Sequence, residues 1–383
     1  MTIKIWDLAK GNKSMATGGS ARSLCYSDEL LFAAYYPDCQ EITAWGRLTE
    51  HDVEVQRFHA DNVDILAMSK YHQKVASASS SGQVTVWETK TGAHTQLFGA
   101  NSVDAKGDNI NDDIDDETGG LVEKITSLAF RNSFQLACGG WETIRILNIS
   151  DGTIAQEHYE ADGYVELMEF SADGQWLAYK SRDRYRHYSL RIWNTATGKR
   201  FLLSVAEPFR RNTDSLSFSM DGQLLVSSSY DGIYLWDVTT GHCIRHLEIC
   251  VNRVIQASFD VGIKRRLNTQ FGFLTIEDPG PSFLGPSNLD ANICGDAGAA
   301  AQGLEIAPCA EGSRKSSLPH FCGYGLSIEL DWLVLNGLRL LRIPLEYRAE
   351  YFSEEKTPII NQSTLIWITR SGRLVRLYFP SRH

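Results

Sequence analysis

The chain alternates apolar and polar residues in short runs broken by glycine-bearing turns, and one such phrase returns along its length. "GIYLWDVTTGH" (232–242) is preceded by "IKIWDLAKGN" (3–12), "VTVWETKTGA" (84–93), "IRILNISDGT" (144–153) and "LRIWNTATGK" (190–199), with a fainter "ITAWGRLTEH" at 42–51. Period-two alternation over so few residues predicts half-buried strands rather than helices. Around the copy at 232 the order is legible: strands at 215–219, 223–229, 233–237 and 243–248, with turns at Asp221-Gly222, Asp231-Gly232 and Gly241. Asp-Gly between alternating runs is a strong hairpin signal. The returning phrase is therefore the third strand and exit turn of a four-stranded unit.

Trp6, Trp45, Trp87, Leu147, Trp193 and Trp236 hold the same place in successive copies, at steps of 39, 42, 60, 46 and 43. Four short strands per unit at a spacing near 40 predict the blades of a β-propeller. The long step contains "NSVDAKGDNINDDIDDETGG" (101–120), and removing those residues restores 40. One blade junction has taken an insertion. Farther on, 254–277 reads as three strands, and 278–320, with five of the ten prolines, reads as a long loop. Strands resume at 324–348 and 364–380. The expectation is an all-β chain forming a single propeller over 1–383, with seven or eight four-stranded blades. Strands at 2–18 form a leading half blade. Either they complete the last blade and close the ring, hiding edge strands, or residue 1 is a start inside a longer gene product.

On these phrases and their period the chain resembles the WD-repeat family, most clearly over 20–250. The resemblance implies a hydrogen-bonded set in each blade, joining a His before the first strand, a Ser or Thr on the second, an Asp in the following turn and the Trp of the third. One blade offers His59, Ser79 and Trp87, with Ser81 where Asp would sit. Another offers Asp231 and Trp236 with Ser229 nearby, and Leu147 replaces the Trp of a third. No blade shows the whole set, so packing carries more of the fold than that network. The tail, "YGLSIELDWLVLNGLRLLRIPLEYR" (324–348), resembles the closing segment of the WD-repeat region in fungal NACHT-type receptors. Arg342 stands where that pattern has Trp, and Ala349 where it has Pro. The resemblance implies a ligand-sensing portion, with the nucleotide-switch module expected only in a longer gene product.

Composition narrows the partners. Hydrophobic residues make up 43% and charged residues 22%, enough apolar material for a large core. A net charge of -10 argues against broad binding to a phosphate backbone, which needs a basic surface. No run approaches a membrane span, and the start lacks the layout of a secretory signal. The eight cysteines are scattered without a CxxC pair, which fits reduced thiols in the cytoplasm better than a disulfide or zinc framework. No nucleic acid, membrane, cofactor or metal is expected.

Two loops carry candidate contacts. The insertion at 101–120 holds Asp112, Asp113, Asp115, Asp116 and Glu117 within a strongly acidic run. Its carboxylates lack the alternating spacing and central Gly of a calcium loop, so it reads as a solvated insertion or as a docking strip for a basic partner. The second, "SRDRYRHYSLRIW" (181–193), is a lengthened turn holding Arg182, Arg184, Tyr185, Arg186, His187 and Tyr188. Arg and Tyr anchor interfaces because they bring large area with directed hydrogen bonds. The family's geometry implies that both loops share one face. "KGNKS" (10–14) and "TGKR" (197–200) have a lysine but not the spacing of a phosphate loop, and no nucleophile–base motif is present. These features lead to a non-enzymatic, protein-binding propeller, first as the sensor of a NACHT-type self/non-self receptor, second as a general assembly scaffold. A propeller hydrolase, the enzyme alternative, requires clustered titratable groups at one channel mouth.

Overall fold

A computed structural model describes the chain except residues 1, 8–10, 17–19, 27–29, 37–40, 49–50, 60–62, 71–72, 80–81, 99–123, 186, 204–212, 231, 250–253, 255, 261, 264, 277–320, 328–330, 337, 349–358, 362–363, 369–373 and 379–383. Before residue 63, Cys25 and Ile42 are the described side chains. The described part is a succession of seven mostly antiparallel sheets, one of them seven-stranded; dividing that one at its shared strand gives eight blades, numbered here in chain order with strands a to d.

Blade 1 comprises Ser20–Tyr26, Leu30–Tyr36, Glu41–Leu48 and His51–His59, and blade 2 comprises Val63–Met68, Lys74–Ser79, Val84–Glu88 and His94–Phe98. Blade 3 has Ser127–Phe130, Gln135–Gly139 and Trp141–Asn148, and blade 4 has Trp176–Arg182, Tyr188–Asn194 and Arg200–Leu203. One long strand, Ile154–Phe170, serves both. Its first half pairs with Trp141–Asn148 as strand d of blade 3, and its second half pairs with Trp176–Arg182 as strand a of blade 4. Blade 5 is Thr213–Phe218, Leu224–Ser229, Gly232–Asp237 and Cys243–Glu248. Its bounds fall within two residues of the alternation in the sequence.

Blade 6 (Ala257–Phe259, Arg266–Thr269, Gly272–Thr275) and blade 7 (Tyr324–Leu326, Trp332–Leu335, Leu338–Arg342) have three strands each. Blade 8 is built from both ends of the chain. Ile359–Asn361, Thr364–Ile368 and Leu374–Tyr378 are joined by Thr2–Asp7 and Gly11–Ala16. The leading strands thus pair with the last blade. Thr2–Asp7 runs parallel to Leu374–Tyr378, whereas every other pairing in the described structure is antiparallel.

The core is divided among the blade junctions. Buried clusters lie between blades 1 and 2 (Cys25, Ile42, Trp87), 2 and 3 (Val86, Leu136, Leu147), 3 and 4 (Ile146, Leu177, Trp193), 4 and 5 (Ile192, Leu225, Trp236), 5 and 6 (Val226, Ile233, Leu267) and 7 and 8 (Leu333, Leu365, Trp367). Strand sheets with two apolar faces read as near-continuous hydrophobic runs, which is why strand c of blade 5, "GIYLWD", is almost wholly buried. Leu147 is as deeply buried as Trp236, so the residue replacing Trp fills the same wedge.

The hydrogen-bonded set differs from blade to blade. In blade 5 the Trp236 Nε1 donates to Ser227 Oγ at 2.9 Å; Ser227 is two residues before Ser229 on the same strand. In blade 4 the matching strand-b position holds Tyr179. Its hydroxyl lies 3.3 Å from Nε2 of buried His158, which arrives from blade 3 and packs 5.0 Å from the Trp193 ring. Ser81 and the His59 side chain lie outside the described part.

Turns on one face repeat a local solution. Ser171 and Ser219 donate to Asp173 and Asp221 at 2.5 and 2.6 Å, and each aspartate accepts from the N–H two residues on. Between them Gly174 and Gly222 take φ of 69° and 68°, a left-handed conformation that costs glycine little. Arg131 of blade 3 ties this face to blade 4, donating to the Gly174 carbonyl at 2.9 Å and to Thr195 Oγ1 at 3.0 Å.

Candidate protein-interaction face

The opposite face carries the turns between strands b and c. In blade 4 the flanking strands pair without a break from Trp176↔Asn194 to Arg182↔Tyr188, leaving 183–187 as the loop. Asp183 organises it. Its Oδ1 accepts from the Tyr185 and His187 N–H groups, both at 2.8 Å, and its Oδ2 lies 2.9 Å from His187 Nδ1. Burial pulls this carboxyl upward, but the bonds from His187 and Tyr185 outweigh it and hold it below the usual aspartate range. The result is a fixed tip. Tyr185 stays 73% exposed, Arg184 and His187 are exposed beside it, and the two rings stand 6.2 Å apart.

Beneath the tip lies a charged and aromatic base. Arg182 Nε pairs with Glu166 Oε1, and Lys180 Nζ pairs with Glu166 Oε2 at 2.9 Å. The buried Lys180 ammonium sits 5.0 Å from the Tyr188 ring centre, and the Arg182 guanidinium 5.9 Å from that of Tyr164. Tyr164 in turn meets Trp141 edge-on at 4.4 Å. The backbone explains the meeting, because Tyr164 is the strand partner of both Trp141 and Arg182 at the joint of blades 3 and 4. Gly163 is needed there, since a Cβ would collide with the Arg182 carbonyl. The passage from strand d to the next strand a therefore shares this face with the ends of strands b and c.

Of the six loop residues, Arg184, Tyr185 and His187 form the tip, while Arg182 and Tyr188 belong to the base. Arg186 lies outside the described residues, as do Asp112, Asp113, Asp115, Asp116 and Glu117 with the whole of 101–120, and the loop at 278–320. Trp141, Tyr164, Glu166 and Lys180 were not singled out by the sequence. The Gly-Gly before Trp141 was the available signal for that turn. Asn336 and Tyr347 of the tail motif have packing roles. Asn336 takes φ of 51° in a turn that it bonds to Gly323, and the Tyr347 carbonyl accepts Trp367 Nε1 at 2.7 Å.

This face offers directed donors and aromatic edges, which suit recognition. Among the described residues no three His, Cys, Asp or Glu side chains are grouped to hold a metal ion, and no helix is long and apolar enough to cross a membrane. Burial pushes the Glu169 carboxyl up to about 7 against the pull of Lys70.

No family model matches the chain. Among curated proteins it is similar to periodic tryptophan protein 2 of Saccharomyces cerevisiae, a WD-repeat protein, at 27% identity over 124 residues. The chain fits a WD-repeat family. The match takes in 32% of this chain and 13% of the yeast protein, so the chain spans a small part of that relative's length. The three four-stranded antiparallel sheets, the seven-stranded sheet that two blades share and the apolar clusters between neighbouring sheets are consistent with a WD-repeat β-propeller.

Proposed function

We propose that this chain is a WD-repeat assembly scaffold that seats another protein on the exposed face of blades 3 and 4 and performs no chemistry of its own. The observation that carries the reading is Tyr185, an exposed aromatic side chain on a loop whose backbone is tied to Asp183 by the Tyr185 and His187 N–H groups and the His187 ring. Preordering an exposed anchor lowers the entropy lost on binding, and Tyr and Arg are the residues most often found at the energetic centre of an interface. The likeness to a WD-repeat protein supports the scaffold over a catalyst. Asp112, Asp113, Asp115, Asp116 and Glu117 belong to the proposal on sequence grounds, as a docking strip for a basic region of the partner. A cytoplasmic location is part of it, supported by the scattered cysteines.

Affinity capture with the wild-type chain and with an R184A/Y185A/H187A variant tests the reading. Proteins retained by the wild type are expected to be lost from the variant while its melting temperature is unchanged. An identical set of retained proteins would sink the assignment of this face.

The second reading, the sensor portion of a fungal NACHT-type receptor, rests on the tail at 324–348. Its packing roles for Asn336 and Tyr347 account for part of that motif without a ligand, and the scaffold therefore stands first. In-frame sequence upstream of Met1 that encodes a phosphate loop would reverse the order.

A further inference from the structure

The donors at the joint of blades 3 and 4 are only partly used. Arg182 faces Glu166 through Nε alone, and Glu166 is not its own, since Lys180 Nζ takes the other oxygen at 2.9 Å. A guanidinium has five N–H groups spread over more than one edge. The end-on edge of Arg182, Nη1 and Nη2, makes no hydrogen bond among the described residues, and its side chain is 31% exposed. The group is nevertheless held in place, by Glu166 on one side and by the Tyr164 ring 5.9 Å away. Arg184 is exposed at the tip and pairs with no carboxylate among the described residues. The Tyr185 hydroxyl is a further donor without an acceptor there. Asp183 is taken up by its own loop, and Glu142 lies in the turn of blade 3, so the blade 4 side of the face is the positive one.

We propose that the end-on edge of Arg182, assisted by Arg184, receives a carboxylate from an acidic stretch of the partner protein. This rests on the reading of the face as a partner's seat and adds the chemistry that the partner presents. A guanidinium edge offers two parallel N–H groups that match the two oxygens of a carboxylate. Because Glu166 and Tyr164 already hold Arg182, little side-chain freedom is lost when the acid arrives. Arg184, in the open, adds an attraction that salt screens. A basic stretch would meet only unpaired cations at this spot. The acidic stretch is separate from the basic region proposed to meet 112–117, so the partner carries both signs.

Fluorescence anisotropy of labelled hexaglutamate with the full chain is the test, and labelled hexalysine is the opposite probe. The wild type is expected to bind hexaglutamate at low salt and to lose most of that binding at about 0.3 M salt. R182Q should weaken it about tenfold, and R184Q about twofold to fivefold. R184Q alters an exposed side chain, which keeps the test clear of folding effects. Hexalysine binding should agree within about twofold among the three proteins, because both arginines repel it. Absence of hexaglutamate binding, equal binding by the wild type and both variants, or a matching loss of hexalysine binding overturns the proposal. Such a result would remove the carboxylate and not the face, which stands or falls with the proteins captured by the wild type and lost from R184A/Y185A/H187A.

Discussion

Replacing Asp260 by alanine should be among the most damaging single changes in the protein. Asp260 sits in the first turn of blade 6 with its side chain fully covered. It accepts from Arg266 Nε at 2.9 Å and Nη2 at 2.5 Å, from the Gly262 and Ile263 N–H groups at 2.8 and 3.0 Å, and from Asn268 Nδ2 at 3.3 Å. Alanine leaves a guanidinium that is 14% exposed beside the Phe273 ring with no counter-charge. Breaking such a pair from one side costs about 3–5 kcal/mol. The two turn N–H groups belong to exposed residues and regain water, adding less than about 1 kcal/mol. The expected loss for D260A is therefore about 3–5 kcal/mol. D260A/R266M strands no charge, so its loss should fall short of the summed single losses by about 2–3 kcal/mol. Urea unfolding followed by tryptophan fluorescence supplies the energies, and hydrogen exchange over 266–275 locates them in blade 6. A D260A protein within about 1 kcal/mol of wild type, or a strictly additive pair, refutes the reasoning.

Three more changes probe separate parts of the molecule. S227A removes the acceptor of the buried Trp236 indole and should cost about 1–3 kcal/mol, with S229A costing less; equal losses in urea unfolding would assign the bond no role. Glu169, pushed up to about 7 from an ordinary 4.5, holds its proton more tightly folded than unfolded. Its contribution is full below the unfolded value and is lost as pH rises through 7, so E169Q should shrink the fall in stability between about pH 5 and 8 by about 2 kcal/mol. Superimposable pH profiles contradict this. D183A should raise amide exchange at Tyr185 and His187 without moving the melting temperature, and unchanged exchange would mean that the loop is ordered by something else.

The strands were legible because many are short, alternating and bounded by Asp-Gly or Thr-Gly, and the landmark side chains that are described, Trp87, Leu147, Trp193 and Trp236, lie at blade junctions even where Leu replaces Trp. Three features escaped that reading for definite reasons. Asp162-Gly163 looks like the turns elsewhere, yet strand Ile154–Phe170 runs through it: Tyr159 is paired to blade 3 and Tyr164 to both blades, and the irregularity between them is bridged by Gly163 at an extended φ of 159°. Ser227 rather than Ser229 meets Trp236 because Trp236 stands opposite Leu225, which makes 227 the nearer diagonal neighbour. In the interaction face, Arg182 read as a loop residue, but Glu166 neutralises it across the sheet; a contact between residues sixteen apart leaves no period in the sequence. The tip residues were visible because an Arg and Tyr cluster between strands has no packing use.

The strand shared by blades 3 and 4 bears on how such a chain can change over evolutionary time. Units separated by connectors can be duplicated, deleted or exchanged by recombination between copies, since each break falls outside a sheet. A crossover at 160–163 would instead cut within the one strand that both sheets share and part the Trp141↔Tyr164 pairing that joins them. Exchanging blade 3 or blade 4 alone would therefore break up the surface at their joint, where Tyr164 stands opposite both Trp141 and Arg182, whereas a cut at any other connector leaves that surface whole.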